Sequence, residues 1–110
     1  MSKKVLMITK VNVKWELLEE FNEYWGKESL PNWIAKGAKH IGSFENYLGG
    51  TKNQIVRLWE FDDFSKWAQF MEWRNKGMYT SEQTPEQAKS LMKIRGYVEN
   101  IEETVWFSVY

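Results

Sequence analysis

The sequence predicts an α+β fold: one four-stranded antiparallel sheet with its helices packed on a single face. Two observations predict it. The hydrophobic period switches between two and three-to-four along the chain, in the order β-α-β-β-α-α-β. The length of 110 residues and the 43% hydrophobic content suit one domain with one core, spanning residues 1–110.

Val5–Val13 alternates as a strand, with Val5, Met7, Thr9 and Val11 on one face and Leu6, Ile8, Lys10 and Asn12 on the other. Over residues 15–25, Leu17, Leu18, Phe21, Tyr24 and Trp25 recur at helical steps, while Glu16, Glu19, Glu20 and Glu23 cover the opposite, solvated side. Gly26 loosens this helix. Pro31 opens a second helical piece, where its missing N–H is not needed, and Gly37 stops it. Strands over 41–48 and 54–61 follow, joined by the longer hairpin loop Gly49-Gly50-Thr51-Lys52-Asn53. Asp62 or Asp63 caps a helix carrying Phe64, Trp67, Ala68 and Met71, which ends near Arg74, Lys76 and Gly77. Thr84, Pro85 and Gln87 mark another helix start, and Leu91, Met92, Ile94, Val98 and Ile101 continue at helical steps. Residues 104–110 close as a strand of β-branched and aromatic residues. Four strands in this order suggest a ferredoxin-like sheet.

Composition removes several function classes. Fifteen basic and fifteen acidic residues cancel, so the basic excess that marks nucleic-acid binding is missing. With no Cys there are no disulfides, thiolate metal sites or Cys nucleophiles, which fits a reducing compartment. Lys3 and Lys4 precede an apolar run that Thr9 and Lys10 stop too early for a signal peptide. No stretch approaches a membrane span. A cytoplasmic protein with no nucleic-acid or membrane partner is expected.

Seven Trp, six Phe and five Tyr are more rings than so small a core easily hides. The strands also read as apolar on both faces: Val56 and Leu58 oppose Ile55, Trp59 and Phe61, and Val105, Phe107 and Val109 oppose Trp106 and Tyr110. Each such side chain is worth about 1.5–3 kcal/mol when buried, so leaving four or five in water would forfeit roughly 6–15 kcal/mol. An identical subunit covering the second face, a homodimer, is the economical solution.

Residues 53–64, Asn-Gln-Ile-Val-Arg-Leu-Trp-Glu-Phe-Asp-Asp-Phe, resemble the asparagine-bearing turn, apolar strand and Leu-Trp-x-Tyr/Phe ending of NIPSNAP-type proteins, members of the dimeric α/β-barrel superfamily. Phe21-Asn22-Glu23-Tyr24-Trp25, followed by Leu30-Pro31, is similar to the first helix of that superfamily, which includes antibiotic-biosynthesis monooxygenases. The resemblance implies two ferredoxin-like subunits packed sheet to sheet, with a pocket in each. It also implies a pocket-facing ring at Trp67. Ser29 and Arg57 stand where relatives often carry His, so a mechanism built on those imidazoles is not expected here.

The candidate ligand-binding residues are Arg57, Trp59, Tyr47, Trp67, Trp106 and Tyr110. Arg57 lies between Ile55 and Trp59 on a buried face, where a charge needs a partner. That partner is an anionic ligand group, Glu45 on the neighbouring strand, or an acid across the dimer. The rings either line an aromatic pocket or form core, and Trp15, Trp33 and Trp73 are assigned to packing or subunit contact. His40, weighed as a general base or an axial haem ligand, is placed in an exposed loop between helix and strand. One His and no Cys cannot furnish the usual zinc sites, and no catalytic residue is assigned.

The leading expectation is a protein that binds a small apolar or aromatic molecule, or a cofactor-independent enzyme such as a monooxygenase or isomerase. In it Arg57 would stabilise an anionic intermediate. A non-catalytic homo-oligomeric assembly or protein-interaction module is the first alternative, and a haem-binding protein the second.

Overall fold

The structure, a computed structural model, describes residues 3–50, 53–79 and 85–109. Thr51, Lys52, Thr84, the side chains of Gln87 and Leu91, and the candidate Tyr110 lie outside the described residues. The chain runs β1 (Val5–Val13), a 3-10 turn (Trp15–Leu17), α1 (Leu18–Tyr24), a wide π-helical turn (Trp25–Ser29), α2 (Leu30–Ala35), β2 (Lys39–Glu45), β3 (Gln54–Phe61), α3 (Phe64–Tyr79), α4 (Pro85–Tyr97) and β4 (Val98–Phe107). The sheet order is β2-β3-β1-β4, and every neighbouring pair is antiparallel. This is the ferredoxin-like arrangement that the order of elements predicts.

Alternation along the two central strands decides which face meets the helices. Val5, Met7, Val11 and Val13 of β1 are buried with Ile55, Trp59 and Phe61 of β3. Phe21, Trp25, Phe70 and Tyr97 come down on them from the helices. The opposite face carries Leu6, Ile8, Val56 and Leu58, half-buried only by their neighbours, with Phe44 and Trp106 exposed beside them.

Several local expectations change. The helix from Leu18 does loosen at Gly26, where it widens into the π-helical turn, and it continues through α2. Pro31 supplies a reason, since it cannot donate to the Lys27 carbonyl and its ring would crowd that oxygen in a regular α-turn. Gly37 does end α2, at φ 104°, a conformation only glycine adopts freely. Asp63 caps α3, its Oδ1 accepting the Lys66 N–H at 2.9 Å, while Asp62 pairs with Lys39 at 2.6 Å. β2 begins at Lys39 and ends at Glu45, so Tyr47 and Leu48 belong to the hairpin loop. Val98 and Ile101, read as helical, belong to β4, which starts six residues earlier than expected. Both are β-branched, and pairing Val98 with Val13 and Ile101 with Val11 extends the ladder along β1. Asn53 ties the hairpin to β1: its side chain donates to the Val13 carbonyl, and its own carbonyl accepts the Val13 N–H at 2.9 Å.

Candidate functional site

A cleft of about 250 Å³ opens between the edge of the sheet at β2–β3 and the segment where α1 passes into the π-helical turn. Trp25, Leu30 and Ile55 form its apolar wall, and Asn22, His40, Ser43, Glu45 and Arg57 supply its polar groups. The space suits a small molecule, or one ring of a larger one.

Arg57 is the unusual member. It points to the helix side of β3 and is only 4% exposed. Its guanidinium carbon lies 3.8 Å from the centroid of the Trp25 ring and 5.6 Å from that of Phe21. These cation–π contacts satisfy its charge in part, but among the described residues Arg57 has no ion pair and its Nε has no hydrogen-bond partner. Burial pushes the guanidinium down to about 10, which still leaves it charged at neutral pH.

The expected Arg57–Glu45 ion pair does not form. In the β2–β3 ladder Ser43 stands opposite Arg57, and Glu45 stands opposite Ile55. The Glu45 carboxylate accepts instead from the Asn22 side chain at 2.6 Å. A second departure concerns His40. It is a β2 residue whose ring lies 5.0 Å from that of Trp59, and its Nε2 is 2.7 Å from Ser43 Oγ.

The remaining candidates scatter. Trp59 is fully buried and backs the cleft from the core, in contact with Trp25, Trp33 and His40. Trp67 stacks on Phe64, which touches Phe107. Tyr47 is 95% exposed in the hairpin loop. Trp106 pairs with Leu6 on the opposite face of the sheet, its indole N–H donating to Thr104 at 2.9 Å. Among the five described candidates only Arg57 lines the cleft, with Trp59 behind it.

Trp25, Asn22 and Ser43 were not singled out from the sequence. A signal existed for Trp25: an inward arginine without an acid opposite seeks an aromatic face, and Phe21 and Trp25 sit four apart on one helix side. Trp33 does pack, against Trp25, Trp59 and Phe70. Among the described residues no three His, Cys, Asp or Glu side chains gather as a metal site, and no helix is long and apolar enough to cross a membrane.

Sheet order and one-sided helices define an α+β protein of the ferredoxin-like class. Within it, the chain shares its fold with an uncharacterised NIPSNAP domain protein from Burkholderia xenovorans, at 22% identity and a TM-score of 0.74, over 96% of this chain and 94% of that one. A NIPSNAP family protein from Agrobacterium tumefaciens superposes with a TM-score of 0.78 at 10% identity, over 99% and 89%. A dimeric ferredoxin-like protein from an uncultured marine organism gives 0.67 at 11% identity, over 99% and 98%. These likenesses establish the fold. No protein-family model matches the chain, and no curated protein sequence matches it.

Proposed function

We propose that the chain binds a small aromatic or apolar molecule carrying a negatively charged oxygen, held by Arg57, in a cleft present once in each half of a homodimer. The carrying observation is the buried guanidinium without an acidic partner among the described residues. A buried charge left unpaired is costly, and an anionic ligand group supplies what Arg57 lacks. Trp25, Leu30 and Ile55 offer the apolar surface for the rest of the ligand. Chemistry in keeping with this site needs neither metal nor flavin. Isomerisation or oxygenation of a compound that passes through an enolate would draw on Arg57 as electrostatic stabiliser.

The dimer rests on the second sheet face, where Leu6, Ile8, Val56 and Leu58 lack a covering layer in the single chain. The fold likeness to a dimeric ferredoxin-like protein supports the same assembly. In such a dimer Trp106 faces the interior between the two sheets, apart from the cleft. The cytoplasm is the compartment we assign to it.

Isothermal calorimetry with benzoate and with neutral benzamide tests the anchor. The carboxylate is expected to bind, the amide at least about tenfold more weakly, and Arg57→Met should erase the difference. Equal binding of both compounds, or unchanged benzoate affinity in Arg57→Met, removes Arg57 from the role. An absence of any small-ligand binding favours the assembly reading, in which the rings serve only packing.

A further inference from the structure

His40 and Ser43 share the cleft because of an irregularity in β2. Residues three apart in a regular strand point to opposite faces. Here His40 stands opposite Trp59, Gly42 opposite Leu58 and Ser43 opposite Arg57, so Ile41 is an extra residue in the ladder. The bulge turns His40 and Ser43 to the same, helix-facing side, a device that re-aims side chains beside functional clefts. With the proton on Nδ1, the imidazole accepts the Ser43 hydroxyl through Nε2, the two atoms 2.7 Å apart. Contact with the Trp59 ring fixes the imidazole from behind. His40 also borders a second, larger depression of about 550 Å³ with Lys39, Asp62 and Lys66, which gives it a route to solvent.

We propose that Ser43 and His40 remove a proton from a ligand hydroxyl whose oxygen is then held by Arg57, so that the cleft takes phenols or enols as their anions. The inference rests on the anion-anchoring role of Arg57 and adds the ligand class. A carboxylate arrives already ionised and has no use for a neighbouring proton acceptor; a phenol or enol arrives protonated and needs one. In the step, the ligand O–H bond breaks and its proton passes to Ser43 Oγ while the Ser43 hydroxyl proton moves to His40 Nε2. The bonding pair stays on the ligand oxygen, which pairs with the guanidinium. Nothing is oxidised or reduced. The charged groups around the imidazole are Arg57 and Glu45 in the cleft and Lys39, Asp62 and Lys66 on the outer side.

The test uses the intact protein and p-nitrophenol, whose anion is yellow. Bound to the wild type, the probe is expected to ionise at a pH about one to three units below that of the free compound, the usual effect of an adjacent cation. His40 is the only histidine in the chain, so its ring nitrogen resonances report its proton without assignment. They should move to the imidazolium position on binding, at a pH where the free protein's ring is neutral. His40→Gln should bind the probe yet leave it at least about tenfold less ionised, one unit of its titration. A colourless bound probe, an imidazole that stays neutral beside a yellow one, or a His40→Gln variant matching the wild type each overturn the proposal. Binding of benzoate but not p-nitrophenol overturns it while leaving Arg57 as an anion anchor. Failure of both ligands removes the anchor as well.

Discussion

Arg57 shows how a single side chain is held between two unsatisfactory states. Its charge has left water, and aromatic faces compensate only in part, by about 0.5–2 kcal/mol for a cation over a ring. Arg57→Met removes the desolvation cost and the cation–π gain together. Without ligand the variant is expected to unfold within about 1 kcal/mol of the wild type or later, measured by urea titration. A loss of several kcal/mol would instead mean that the guanidinium holds the helices to the sheet. The need of Arg57 for a partner was legible, because strict alternation from Ile55 to Phe61 places it inward. The missing acid was not. Counted from His40 opposite Trp59, a regular ladder would set Gly42 opposite Arg57; the extra residue at Ile41 sets Ser43 there, and no local pattern in Lys39–Glu45 announces a bulge. Tyr47 misled for a related reason: with β2 closing at Glu45, its ring leaves the sheet altogether.

Among the elements, α3 is bound to the sheet by rings. Phe70 is buried against Phe61 of β3, Trp33 of α2 and Trp73 of its own helix. Phe70→Ala should cost about 3–5 kcal/mol in chemical denaturation, through lost contacts and the cavity left behind. The Arg74 guanidinium joins α3 to β4 by a two-pronged bond to Glu103, its Nη2 at 2.7 Å from Oε1. The exposed Lys39–Asp62 pair is of another kind. Hydrogen bonding from Lys39 holds the Asp62 carboxyl below its ordinary value of 3.8. A lowered carboxyl contributes stability above its unfolded value and loses it as pH falls through the folded one. Asp62→Asn should therefore differ from the wild type in melting point most at neutral pH, with the gap closing as pH falls below the ordinary carboxylate range and shrinking in high salt. The helical segments were readable from periodicity. β4 was not readable in its first half, because Val98 and Ile101 fit either period, and the ladder along β1 decides.

For the molecule as a whole, the decisive asymmetry lies between the two sides of the sheet. One side is closed by helices; the other presents Leu6, Ile8, Val56 and Leu58, with Phe44 and Trp106 exposed near them. That imbalance was visible in the sequence, since alternation places apolar residues on both sides of β1 and β3. Ile8 and Leu58 are cross-strand partners at the centre of the open side. Leu58→Glu sets a charge there and is expected to convert a dimer into a monomer in sedimentation, with its cooperative melting transition retained. A wild type that sediments as a monomer at all concentrations would show that the open side tolerates water. The interior carries its own optical label. Trp25, Trp33 and Trp59 lie with ring centroids 4.9–5.9 Å apart, whereas Trp15 and Trp106 are exposed on the single subunit. Indoles this close couple their transitions, so a far-ultraviolet dichroic couplet should arise from that trio and vanish when it separates. A shift in the emission colour of Trp106 would then follow assembly through the open side, and the inner signal would follow folding and occupancy of the cleft.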